Sequence, residues 1–89
     1  MSKIVLCDID GTIANNDHRQ HLLKEYKDWD KFFAELKNDT PIMNAIEFIN
    51  NEHALNNRII FITGRPHRYK QKTERWLKKY FFFPIEIFM

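Results

Sequence analysis

Apolar residues fall along this chain in two short unbroken runs and three spaced sets, and the two kinds of pattern predict different elements. Lys3–Cys7 reads Lys-Ile-Val-Leu-Cys and Arg58–Thr63 reads Arg-Ile-Ile-Phe-Ile-Thr. Runs this short, apolar throughout and rich in β-branched residues, fit strands buried on both faces of a parallel sheet. Gly64 closes the second run, and Ile85–Met89 has the character of a third strand beginning. Trp29, Phe32, Phe33 and Leu36 fall at i, i+3, i+4 and i+7, which predicts a helix with Asp28 as its N-cap. Ile42, Ala45, Ile46 and Ile49 repeat the spacing behind Thr40-Pro41, read as an N-cap followed by proline at the first helical position. Tyr69, Thr73, Trp76, Leu77 and Tyr80 make one face of a helix after the second strand, with Lys70, Lys72, Arg75, Lys78 and Lys79 mostly facing away. The order strand, helices, strand, helix, strand predicts an α/β fold with a parallel sheet of about three strands and flanking helices.

The stretch from Asn15 to Lys27 is more polar and weakly periodic, and Leu22, Leu23 and Tyr26 suggest a short helix there. Residues 15–40 therefore read as a small helical insertion, placed where a lid over a site would lie.

Composition narrows the function classes. A chain of 89 residues is one domain, and 44% hydrophobic with 29% charged residues excludes the disordered class. The single cysteine, Cys7, excludes an intramolecular disulfide and fits a reducing compartment. No apolar run reaches the roughly 18 residues of a membrane span, so a cytoplasmic protein is expected. The net charge of +2 hides an asymmetry: residues 1–57 carry 6 Lys/Arg and 10 Asp/Glu, whereas residues 58–80 carry 8 Lys/Arg and only Glu74. Weak nucleic-acid binding through the basic helix 66–79 is one expectation; a solvated helix exterior is the plainer one.

Candidate chemistry sits where the strands end. Asp8-Ile9-Asp10-Gly11-Thr12 follows the first run. Residues two apart on an extended strand share a face, so Asp8 and Asp10 project together at the carboxyl end, where parallel sheets collect ligands. Two carboxylates so close call for a cation between them or a shared proton. Oxygen donors beside a phosphate suit Mg²⁺. Gly11 lets the backbone turn and bring an amide near an anion. As a bare motif, Asp-x-Asp-Gly is also an ordinary strand-end turn. The second strand ends in Thr63-Gly64-Arg65-Pro66, which supplies a hydroxyl, amides and a guanidinium for phosphate oxygens.

On these two motifs the sequence resembles the haloacid-dehalogenase-like (HAD) phosphohydrolases, over essentially the whole chain. Trp29 and Phe32, Pro41-Ile42, Thr63 to Pro66, Thr73 and Trp76-Leu77 further resemble small bacteriophage-type members and the phosphatase half of polynucleotide kinase. The resemblance implies a partial Rossmann-like HAD fold, with residues 1–89 as the N-terminal part of a single domain. It implies Asp8 as the nucleophile, Asp10 as the general acid and base, and Mg²⁺ on the Asp8 carboxylate and the Asp10 backbone carbonyl. Thr63, with Gly11, Thr12 and Gly64, would hold the phosphoryl oxygens, and Arg65 is a weaker candidate for the same contact. The implied activity is Mg²⁺-dependent phosphomonoester hydrolysis through an aspartyl-phosphate, on a phosphorylated small molecule or a polynucleotide 3′-phosphate.

The family pattern continues with a basic residue and an acidic pair that have no counterpart among these residues. The expectation is therefore a fragment or a natural short product, or a unit completed by another chain. Two non-enzymatic readings stand beside the phosphatase: an inactive phosphate- or nucleic-acid-binding remnant, and a module that forms homo-oligomers through an open edge of the sheet.

Overall fold

The computed structural model describes residues 2–24 and 29–89. Its centre is a three-stranded sheet, β1 (Ile4–Asp8), β4 (Arg58–Ile62) and β5 (Ile87–Phe88), in the order β1-β4-β5. Both pairings are parallel, with Ile4 opposite Arg58 and Asp8 opposite Ile62, then Phe61 opposite Ile87. The two runs become neighbouring strands with their carboxyl ends level, but β1 is not buried on both faces as expected: it is the edge of the sheet among the described residues, and Ile4 and Leu6 are 57% and 63% exposed. The third strand is shorter than the apolar tail that predicted it.

Between β1 and β4 come β2 (Ala14–Asn15), α1 (Asp17–Lys24), α2 (Trp29–Ala34), a 3₁₀ turn (Glu35–Asn38), β3 (Thr40–Pro41) and α3 (Met43–Ala54). A 3₁₀ turn (His67–Tyr69) and α4 (Lys70–Leu77) join β4 to β5. The core gathers Cys7, Ile9 and Ile13 from the first strand and its turn, Ile46 and Ile49 from α3, Ile59 and Phe61 from β4, and Trp76, Leu77 and Phe81 from the last crossover. Burying each large apolar side chain contributes about 1.5–3 kcal/mol.

The periodicities at Ile42–Ile49 and Tyr69–Tyr80 place α3 and α4 correctly, and Thr73, Trp76 and Leu77 are the buried positions of α4. Two further local expectations need correction. Thr40-Pro41 does not start α3; it is extended and pairs antiparallel with Asn15 and Ala14, and Ile42 caps the helix instead. Proline is tolerated there because a two-residue ladder need not use its missing N–H. Trp29 stays 55% exposed although it shares the helical spacing of Phe32 and Leu36, which are buried. The N-cap expected of Asp28 and the helical role of Tyr26 lie outside the described residues. In α1 the buried residue is the charged Arg19, while Leu22 and Leu23 are half-buried. No helix among the described residues is long and apolar enough to cross a membrane.

Candidate active site at the carboxyl ends of β1 and β4

The turn after β1 sets the geometry. The Ile9 carbonyl accepts from the amides of Thr12, Ile13 and Ala14 at 3.0–3.2 Å, and the Gly11 amide donates to the Ala14 carbonyl at 2.9 Å. So tight a reversal needs a positive φ, and Gly11 supplies it at 79° without a Cβ penalty. The space above Gly11 is open. Burial alternates through the turn: Cys7 and Ile9 are buried, while Asp8 is exposed and Asp10 half-buried. The extended geometry that aligns Asp8 with Asp10 therefore persists past the end of the strand.

The two aspartates meet different partners. Among the described residues the Asp8 carboxylate accepts from the Thr12 hydroxyl at 3.2 Å, and the residue lines an open groove. That groove, about 550 Å³, is lined by Asp8 and Thr12 together with Leu6, Ala45 and Phe48. Asp10 is held by charge. Arg65 donates to it through Nη2 at 2.8 Å and Nε at 3.2 Å, Arg19 through Nη2 at 3.0 Å, and the Thr63 hydroxyl at 3.2 Å. Burial pushes the Asp10 pKa up, but the hydrogen bond and charge of Arg65, the charge of Arg19 and the Thr63 hydroxyl together outweigh it. The carboxyl is held below its ordinary value and stays ionised.

Behind Asp10 lies a fully buried carboxylate, Asp39. It accepts from Arg19 Nε at 2.8 Å and Nη2 at 2.9 Å and from Arg65 Nη2 at 3.4 Å, and it meets His18 Nε2 at 2.8 Å. Arg19, with no exposed surface, also donates to the Phe32 carbonyl at 3.2 Å and stacks over the Phe32 ring at 4.2 Å. Arg65 Nη1 reaches the Thr73 hydroxyl at 3.1 Å. Two guanidiniums are thus shared between two carboxylates, and no buried side-chain polar atom among the described residues is left unpaired. This is how a low-dielectric pocket tolerates four charges.

The pairing of β2 with β3 makes this cluster. It brings the start of α1 beside residue 39, so that Arg19 and His18 reach a carboxylate twenty residues away. Every site residue drawn from the two motifs gathers at one end of the sheet. Thr63 and Gly11 are engaged differently from expectation: the Thr63 hydroxyl donates to Asp10 and accepts from the Arg65 amide at 3.1 Å, and the Gly11 amide closes its own turn. Arg65, read as a weak candidate, is 4% exposed and central. Arg19 and Asp39 were not picked out from the sequence. An isolated arginine in a polar helix and an aspartate two residues before a proline carry no shared spacing that would have joined them.

The implied magnesium fits the donors present. The exposed Asp8 carboxylate is a hard oxygen donor that meets only the Thr12 hydroxyl among the described residues, and the Asp10 main-chain carbonyl is a second hard donor of the same turn. The Asp10 carboxylate is turned to the arginines and is not a ligand in this arrangement. Among the described residues no three His, Cys, Asp or Glu side chains converge on one point. Mg²⁺ accepts such a sparse protein shell because it keeps several waters and takes oxygens from the substrate phosphate.

A family model, described as the polynucleotide kinase PNKP phosphatase domain, matches residues 2–88. A viral protein from Autographa californica nuclear polyhedrosis virus, described as a bifunctional polynucleotide kinase/RNA ligase, is 30% identical over 79 residues. That alignment covers 89% of this chain but 10% of the relative, so the chain spans about a tenth of that protein's length. No solved structure matches significantly.

Proposed function

Because the chain belongs to the HAD-like family of polynucleotide kinase phosphatase domains, we propose that it is a Mg²⁺-dependent phosphomonoesterase acting on the 3′-phosphate of a polynucleotide end. The observation that carries this reading is the contrast between the two aspartates: Asp8 is open and nearly unpartnered, while Asp10 beside it is clamped by two arginines.

In the first step an Asp8 carboxylate oxygen attacks phosphorus and forms an aspartyl-phosphate. The bond from phosphorus to the leaving oxygen breaks, and that oxygen takes a proton from Asp10. In the second step Asp10, now a carboxylate, takes a proton from water as its oxygen bonds to phosphorus. The bond to Asp8 then breaks and inorganic phosphate leaves. Magnesium, when bound by the Asp8 carboxylate and the Asp10 main-chain carbonyl, supplies positive charge for the transferring phosphoryl group.

Asp10 as it stands suits the second step, since the arginines keep it ionised. The first step needs it protonated. A phosphate dianion arriving beside Asp10 adds negative charge next to the carboxyl, which favours its proton uptake. The substrate itself thus arms the acid. Thr12 and Gly64 remain the phosphate contacts of this reading, with Arg65 behind them holding Asp10.

The test is hydrolysis of an aryl phosphate and of a 3′-phosphorylated oligonucleotide, with and without Mg²⁺. Asp8→Asn is expected to abolish turnover on both; turnover retained in that variant overturns the mechanism.

A further inference from the structure

A second concentration of charge lies away from the reaction centre. Lys37 from the 3₁₀ turn, Lys72 and Arg75 from α4, and Lys79 just beyond it line a cleft of about 60 Å³ against Trp76. No acidic side chain lines it. All four cations are exposed, and among the described residues none is held in an ion pair. The cleft opens to solvent, and its four cations can close on a single phosphate group.

The cleft is coupled to the reaction site through one residue. Trp76 donates from Nε1 to the Asp39 carbonyl at 2.9 Å, while the Asp39 carboxylate holds Arg19 and Arg65. The elements that carry the cations are therefore fixed relative to the phosphoryl site. Charge elsewhere on α4 is arranged differently: Lys78 lies on another side of the helix, in a hollow it shares with Gln71, Glu74 and Arg75. The convergence of Lys37 with Lys72, Arg75 and Lys79 joins two elements and is invisible in the run of basic residues along helix 66–79.

We propose that this cleft binds an internal phosphodiester of the polynucleotide strand whose end occupies the Asp8 site; the inference rests on the polynucleotide reading above. Lysine ammoniums are point charges that accept a phosphate without base-specific geometry, so the contact positions the strand and reads no sequence. Each phosphate so neutralised releases counterions, which makes the contact measurable as salt dependence.

The experiment is fluorescence anisotropy of a labelled single-stranded oligonucleotide with hydroxyls at both ends, titrated with the 89-residue chain over a salt series. The ends carry no phosphate, so binding is independent of hydrolysis. Lys79→Gln is expected to lower the slope of log affinity against log salt by about 0.7. The weakening should be the same for different base sequences. Lys78→Gln makes the same charge change one residue away and is expected to leave the slope nearly unchanged. Equal losses in the two variants, or no salt-dependent binding at all, overturn the cleft. Either result would leave the phosphatase reading standing, because that reading is tested separately by Asp8→Asn hydrolysis.

Discussion

Two opposing effects act on the Asp10 carboxyl, and their balance sets a pH dependence. Burial disfavours the charged form; Arg65, Arg19 and Thr63 favour it more strongly. The folded carboxyl is therefore harder to protonate than the same group in the unfolded chain, whose ordinary value is 3.8. Through the acid range the unfolded chain binds more protons, so stability falls as pH falls. The contribution is complete above the ordinary carboxylate range and is lost as the pH drops through the lower folded value. Melting temperature measured against pH should show this acid limb, and Asp10→Asn should flatten it. Cys7 behaves oppositely: burial first, and the charge of Asp8 second, push its thiol up to about 11. It is a packing residue beside the nucleophile rather than a reactive one.

At the scale of elements, Asp39 is a clasp. Its carboxylate ties α1 through His18 and Arg19, and the loop after β4 through Arg65. Its carbonyl ties α4 through Trp76. Its amide closes the 3₁₀ turn on the Leu36 carbonyl at 3.1 Å. Removing one partner of a buried ion cluster leaves the others uncompensated and costs about 3–5 kcal/mol. Asp39→Asn should lower the unfolding midpoint in urea by a corresponding amount. Helices α3 and α4 were legible because each presents an apolar face at helical spacing to one sheet. The extended conformation of Thr40-Pro41 was not, because its partner Ala14-Asn15 is some twenty-five residues distant and the dipeptide alone reads as a helix start. Local propensity lost there to a long-range ladder.

For the molecule as a whole, the consequential feature is the free side of β1. Among the described residues its only ladder is with β4, and Ile4 and Leu6 are 57% and 63% exposed; Phe48 of α3, 58% exposed, lines one groove with Leu6. An unpaired apolar edge templates further strand pairing. The 89-residue chain is expected to self-associate as its concentration rises. Leu6→Lys should suppress this without unfolding the chain, because the side chain is largely solvated already. Size-exclusion chromatography with light scattering decides it; a parent chain that stays monomeric at high concentration contradicts the expectation.

The sequence by itself determined the strands that lead into Asp8 and Thr63, their parallel α/β setting, and the gathering of Asp8, Asp10, Thr63 and Arg65 at one end of the sheet. Those follow from short-range patterns: unbroken apolar runs, helical spacing, and a glycine where the chain must reverse. Tertiary structure alone decided how the charges are shared. Arg19 and Asp39 are remote in sequence, and only the β2–β3 pairing brings them together to clamp Asp10 and leave Asp8 free. Electrostatic partnership depends on distance and burial, and neither is written in the spacing of residues along the chain.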